Sequence, residues 1–331
     1  MSDAVIARWD GFLDKTRTRA SDLLAEASGA CKRTIDGGEC DANVVFAGWE
    51  AVAHRTTDLA SKVIDTWNAQ VVGAMEGASV AGDRLETERA KASALRDWIE
   101  LEIERTRLAI RCDLARETLK REAAEASVDH PCTRCGAPLD APLVFITTNV
   151  TCRHCRAIVE YVPGTRTRMV GGHCIWDLPE MTAWPEYVVM KEAERGGDKR
   201  ALEAARLVHT RKVLTTRAEL LPDQAATFEA DLRRACPFYA GPVVVPQVAP
   251  LSGMDDLRAR MKKVLDAGFG IVGAPITSLT SSIYANARAA LVHYGTVKSG
   301  VDQMACTVCG APRIKDDRDL RPCVYCGGAL A

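Results

Sequence analysis

Residues 45–75 read "VFAGWEAVAHRTTDLASKVIDTWNAQVVGAM". Val45, Trp49, Val52, Leu59, Val63, Trp67, Val71 and Met75 recur at intervals of three, four or their sum. An α-helix turns once in 3.6 residues, so these positions share one face, whereas a half-buried strand would alternate. The stretch predicts a helix over 42–76. Working outward, residues 3–28 carry Val5, Trp9, Phe12, Leu23 and Leu24 on a second such face, and Gly37 and Gly38 in "DGGEC" break it. On the other side "EGASVAGD" turns the chain, and Asp83 is placed to cap a third helix of about 84–127. Its stripe is Leu85, Ala92, Leu95, Ile99, Ile103, Ile110 and Leu114. Helices two and three would each span roughly 50–65 Å. Two arrangements fit: an antiparallel hairpin bundled with helix one, or a coiled coil that also recruits further copies. The spacing lies nearer 3.6 than a sustained heptad.

The totals agree with a mainly α chain of several domains. Of 331 residues, 47% are hydrophobic, enough to bury cores, and only 5% are aromatic. The N-terminus carries early charges and no apolar run, so it does not read as a signal peptide, and the expected compartment is the cytoplasm. The formal net charge is −1. The acidic excess lies in residues 1–128, with 23 Asp+Glu against 18 Lys+Arg. Residues 129–168 and 253–331 are mildly basic. This is not the strong basic footprint of a dedicated nucleic-acid binder.

Eight of the 13 cysteines fall into four C-x2-C pairs. Cys132, Cys135, Cys152 and Cys155 form one set, and Cys306, Cys309, Cys323 and Cys326 the other. Their opening stretches, "CTRCGAP" at 132–138 and "CTVCGAP" at 306–312, are nearly identical. Two residues between cysteines let a tight turn aim both thiolates at one ion, and a hairpin between pairs completes a tetrahedron. These segments resemble zinc ribbons, the rubredoxin-like knuckle pairs. The resemblance covers 130–162 and 304–330 and implies two structural Zn2+ sites with those eight cysteines as ligands. Gly136, Gly310 and Gly327 follow their pairs, where such a turn uses positive φ. Arg156 stands where the other three knuckles have glycine, which predicts a looser or differently turned knuckle. A redox dithiol would want a βαβ setting, and haem attachment a histidine directly after the second cysteine; neither is present.

Elsewhere, residues 142–151 and 156–163 are strand candidates, and 164–187 reads as irregular. Helices are expected near 186–215, 222–235, 254–266 and 275–294. Residues 236–253 carry four prolines and read as an extended linker. "GFGIVG" at 268–273 matches a dinucleotide fingerprint in letters only. Helix-like "RMKKVLDA" precedes it and Pro275 follows, so a helix–helix turn is the expectation. The uncharged run 267–287 is rich in Gly, Ser and Thr and reads as a buried hairpin or subunit surface rather than a membrane span. Cys31, Cys40, Cys112, Cys174 and Cys236 read as small buried residues. His173–Cys174 has no partner pair nearby in sequence.

The domains expected are a long-helix bundle or coiled-coil hairpin over 1–128, zinc ribbon one over 129–165, and an irregular segment with helices over 166–236. A Pro-rich linker over 237–253, a short helical hairpin over 254–300 and zinc ribbon two over 301–331 follow. Four thiolates close a metal's shell, and no catalytic constellation is visible, so a non-enzymatic adaptor or scaffold is the leading expectation. Helix one is shorter than helices two and three and cannot cover both along their full length, where Trp49, Trp67 and Trp98 add large apolar area, which predicts a homo-oligomer through the helices, or another protein partner. The alternative is a nucleic-acid-binding or transcription-associated ribbon protein, with contacts at Arg134, Arg153, Arg156, Arg166 and Arg168.

Overall fold

In α1 (Ser2–Asp36) the buried positions are Ile6, Trp9, Leu13, Thr16, Ala20, Leu24, Ala27, Cys31 and Ile35, each three or four residues after the last. The computed structural model describes residues 2–125, 131–139, 145, 147–274, 276, 282–295, 303–305 and 312–314. The fold is mainly α. The chain divides into two compact units, Met1–Leu114 and Ala115–Ala331.

The first unit holds α1, α2 (Ala42–Val45), α3 (Trp49–Thr66), a π-helical turn (Trp67–Val71) and α4 (Val72–Gly77). The helix α5 (Gly82–Glu125) gives residues to both units. Asp3 pairs with Arg84 at 3.2 Å, Asp10 with Lys91 at 2.8 Å, and the Arg17 guanidinium lies 4.6 Å from the Trp98 ring. These pairs step by seven residues along both helices, so α1 and α5 run parallel. The α3–α4 segment makes the return, with Glu50 held by Arg107 at 2.9 Å. The helix expected over 42–76 is interrupted. Asp41 caps α2, and Gly48, a poor helix former, ends the break at the start of α3. The π-turn inserts one residue, which is why Trp67 and Met75, eight apart, both face inward.

The same core corrects the premise for assembly. Helix α1 has 35 residues rather than ending at 28. Trp49 and Trp67 are 1% and 4% exposed within a single chain, and the Trp9 ring lies 5.6 Å from Trp67. Neither ring is left over for a second copy.

The second unit opens with strands β1 (Thr148–Thr151) and β2 (Ile158–Tyr161), paired antiparallel with Val150 opposite Val159. Then come α6 (Thr165–Gly172), a π-turn (His173–Asp177), α7 (Leu178–Thr182), α8 (Trp184–Arg195), α9 (Lys199–Leu220), a 3-10 turn (Pro222–Thr227) and α10 (Phe228–Ala235). Helices α11 (Met254–Val272) and α12 (Ser282–Gly295) precede two short strands, β3 (Gln303–Ala305) and β4 (Pro312–Ile314). Helix α9 is the hub and packs on α7, α8, α10, α11 and α12. The helix expected over 186–215 is two helices. Gly197, at φ +70°, turns the chain, and Asp198 caps α9 by accepting the backbone N–H of Arg200 at 2.8 Å.

Two stretches differ from expectation in an informative way. Residues 164–187 are helical rather than irregular. Gly171 is there for packing, since a Cβ on it would stand 2.4 Å from the Phe145 side chain. The stripe Val170, Cys174, Leu178 and Met181 is buried. Residues 236–253 are extended as expected but are docked. Arg211 stacks 4.9 Å from the Tyr239 ring, Tyr239 and Val243 pack on the α9–α10 core, and Arg260 donates to the carbonyl of Ala249 at 3.1 Å. Among the described residues no helix is long and apolar enough to cross a membrane.

Candidate metal centre

The first C-x2-C pair folds as a tight loop closed by two backbone hydrogen bonds. The Cys132 N–H donates to the Ala137 carbonyl at 2.7 Å, and the Gly136 N–H donates to the Cys132 carbonyl at 2.8 Å. A bridge between Pro131 and Pro138 brackets it. The second pair repeats the pattern. The Cys152 N–H donates to Ala157 at 2.9 Å, and the Arg156 N–H donates to Cys152 at 2.8 Å. Gly136 has φ +73° and Arg156 φ +58°. The second knuckle is therefore neither looser nor differently turned: arginine adopts the left-handed conformation that glycine takes in the first. A non-glycine residue held there costs about 1–3 kcal/mol.

The β1–β2 hairpin carries the second knuckle at its tip and sets it against the first. The sulfurs of Cys132 and Cys155 are 3.7 Å apart, as are those of Cys135 and Cys152. All four lie within 4.8 Å of one another. A tetrahedron of Zn–S bonds of about 2.3 Å has edges of about 3.8 Å. The donor set thus fits a tetrahedral thiolate metal. The backbone N–H groups of Arg134 and Cys135, aimed at the Cys132 sulfur, bring its thiol down to about 7. Cys135 goes the other way, to about 12. The Ala137 N–H favours its thiolate, but desolvation and the neighbouring cysteines outweigh that. Four sulfurs this close share protons until a cation replaces them. A small apolar floor of Cys132, Cys152, Ala157 and Val159, with Leu139 against it, completes the ribbon. Such a floor is too small to hold the segment alone, which is what a metal staple supplies.

Cys306, Cys309, Cys323 and Cys326 lie outside the described residues. The strands beside them are described: β3 pairs antiparallel with β4, Ala305 opposite Pro312. That places the pairing one residue before and six after Cys306, the same offsets that Pro131 and Pro138 have from Cys132. The repeated stretch is bracketed alike in both halves of the chain.

The basic positions named from sequence fall on the ribbon and the helix after it. Arg134 is in the first knuckle, Arg153 and Arg156 in the second, and Arg166 and Arg168 in α6; all are exposed except Arg166, which is half-buried. "GFGIVG" does not form a strand–turn–helix. All but its last glycine lie inside α11, and a Cβ on Gly268 would stand 2.1 Å from Met181 Cε. Cys31, Cys40, Cys112, Cys174 and Cys236 are buried. Burial pushes the Cys174 and Cys31 thiols up, away from reactivity.

One constellation escaped the sequence reading. His173 Nδ1 lies 2.6 Å from Asp177 Oδ2, and its Nε2 lies 3.3 Å from the Thr118 hydroxyl. With Nδ1–H donating to the carboxylate, Nε2 accepts from Thr118. This is the carboxylate–imidazole–hydroxyl order of a hydrolase triad. Thr118 is 0% exposed, however, so in this structure the group pins α5 to the π-turn rather than meeting a substrate. His173–Asp177 at i, i+4 was visible in sequence; Thr118, 55 positions away, was not. Among the described residues, the four ribbon cysteines are the only cluster with metal-ligating geometry. Compared with known proteins, the chain matches no protein-family model, no curated protein and no solved structure.

Proposed function

We propose that the protein is a zinc-stapled helical adaptor that works by binding, to another copy of itself or to a protein partner, and not by catalysis. The observation that carries this reading is the sulfur geometry: pairs 3.7 Å apart in a set of four fill a tetrahedral ion's shell and leave no position for substrate or water. Zinc is the metal proposed, because four thiolates in a small hairpin suit it and its role there is folding. The second four-cysteine set is proposed to load in the same way. Both units are helical: the first holds a three-helix bundle with its own core, and the second a hub of helices around α9. Self-association is proposed through helix surfaces other than the Trp49–Trp67 stripe.

The test is metal analysis with light scattering on freshly reduced protein. Two zinc ions per chain and a mass that is a multiple of 35.9 kDa are expected. Freshly reduced protein that carries no zinc overturns the staple. A 35.9 kDa species at tens of micromolar overturns self-association.

A further inference from the structure

Trp176 differs from the buried tryptophans. Trp9, Trp49, Trp67 and Trp184 are at most 4% exposed, whereas Trp176 leaves 65% of its surface to solvent. It sits in the π-turn His173–Asp177, directly after α6. A π-turn inserts one residue, which winds later positions back by roughly 100°. In an unbroken α-helix Trp176 would stand about 80° round from Arg168; the inserted residue brings it back beneath. Thr165, Arg168, Gly172 and Trp176 then form one outward column. Arg168 Nη2 donates to the Thr165 hydroxyl at 3.3 Å. Gly172 has nothing within 4 Å of where a Cβ would stand, so the floor between guanidinium and indole is open. Arg168 and Trp176 are roughly 12 Å apart along the axis.

The turn that presents this ring is fixed from below. His173 and Asp177, at its two ends, are buried and bonded to each other, and His173 also reaches Thr118. The exposed indole therefore stands on a rigid base. The ribbon joins the same helix through Phe145, whose side chain fills the space over Gly171. Residues 131–176 contain five arginines against two acids, Asp140 and Glu160, and no lysine. Arg134, Arg153 and Arg156 are exposed at the knuckles. Arg156 holds a left-handed φ of +58° at a position where a glycine would turn as well, and so adds a cation that the turn itself does not require.

Guanidinium groups dispersed over a ribbon and a helix, with one rigid indole beside an open floor, match a linear polyanion whose repeating unit carries a flat ring. Duplex nucleic acid stacks its ring faces away. An acidic peptide would satisfy the arginines and give the indole nothing to stack on. We propose that the second unit binds single-stranded nucleic acid, with Trp176 stacking a base and the exposed Arg134, Arg153, Arg156 and Arg168 meeting phosphates along the strand. The adaptor reading does not need this activity, and its own test reads zinc and mass instead.

The experiment is fluorescence anisotropy of a labelled oligothymidylate of about 20 nucleotides with the zinc-loaded full chain. Binding that weakens steeply with salt is expected. Trp176→Ala should lower affinity about five- to a hundredfold, with Trp176→Phe recovering part of the loss. Arg156→Gly should keep the turn and the zinc while lowering affinity and flattening the salt dependence. No binding at tens of micromolar in low salt overturns the proposal. So does affinity indifferent to Trp176→Ala. Polyglutamate competing as well as the oligonucleotide overturns it too, since an acidic protein would then be the partner.

Discussion

Glu186 lies in the first turn of α8, and its Oε2 meets no hydrogen-bond partner among the described residues. Burial pushes its carboxyl pKa up, against the pull of Lys212 and His209 toward the charged form. A carboxyl whose folded pKa exceeds its unfolded value binds its proton more tightly in the folded chain. Its contribution to stability is fullest below the unfolded value of about 4.3 and is lost as pH rises through the raised one. Glu186→Gln removes the charge without changing the shape. It should raise the urea midpoint at pH 7 and give a smaller gain at pH 4. An equal gain at both pH values, or a loss at pH 7, would contradict the assignment. Legibility at this scale was uneven. The four clustered cysteines of the described ribbon were readable because spacing alone fixes what a knuckle can do. The left-handed turn at Arg156 was not, because the letter argues against it while the backbone hydrogen bonds and the hairpin impose it. Nor was the His173–Asp177–Thr118 group, whose third member arrives only when α5 meets the π-turn.

At the scale of elements, glycine was the letter most easily misread. "GFGIVG" suggested a turn and the stretch holding "MVGGHC" read as irregular, yet Gly268 and Gly171 lie within helices where another side chain needs the room. A Cβ on Gly268 would stand within 2.7 Å of three atoms of Met181, which is itself fully buried. Gly268→Ala should therefore cost about 1–3 kcal/mol, although alanine is the better helix former. Met181→Ala in that background should cost less than it does alone, since it vacates the contested space. Thermal unfolding of the four-member mutant cycle reads the coupling. Strict additivity would mean that α11 and α7 do not meet here. The helical stripes themselves were legible, because apolar periodicity survives wherever large residues mark it. Where small residues carry the face, as Ala20, Ala27 and Cys31 do in α1, the helix read short. The π-turns were hidden for a related reason: one inserted residue leaves local spacing plausible and shifts only the face that follows.

At the scale of the whole molecule, the two compact units have separate reasons to be folded. Residues 2–114 rest on an apolar core in which Trp9, Trp49 and Trp67 are large members. The ribbon in the second unit rests on four sulfurs over a floor of a few small residues. Trp67→Glu places a charge where 4% of the native ring is exposed, and it removes the packing with Trp9. Loss of a buried aromatic costs about 3–5 kcal/mol, and an unpaired buried carboxylate adds to that. The substitution should thus melt the three-helix bundle, visible as a large loss of helical circular dichroism, while the Cys132–Cys155 set keeps its metal. Chelation of the wild type should do the reverse: metal leaves, the ribbon opens, and the helical signal stays nearly whole. If Trp67→Glu leaves the bundle folded and only halves the mass of an oligomer, then Trp67 is an interface residue and the single-chain core assigned to it is wrong. If chelation instead removes most of the helical signal, the staple supports far more of the chain than its own hairpin.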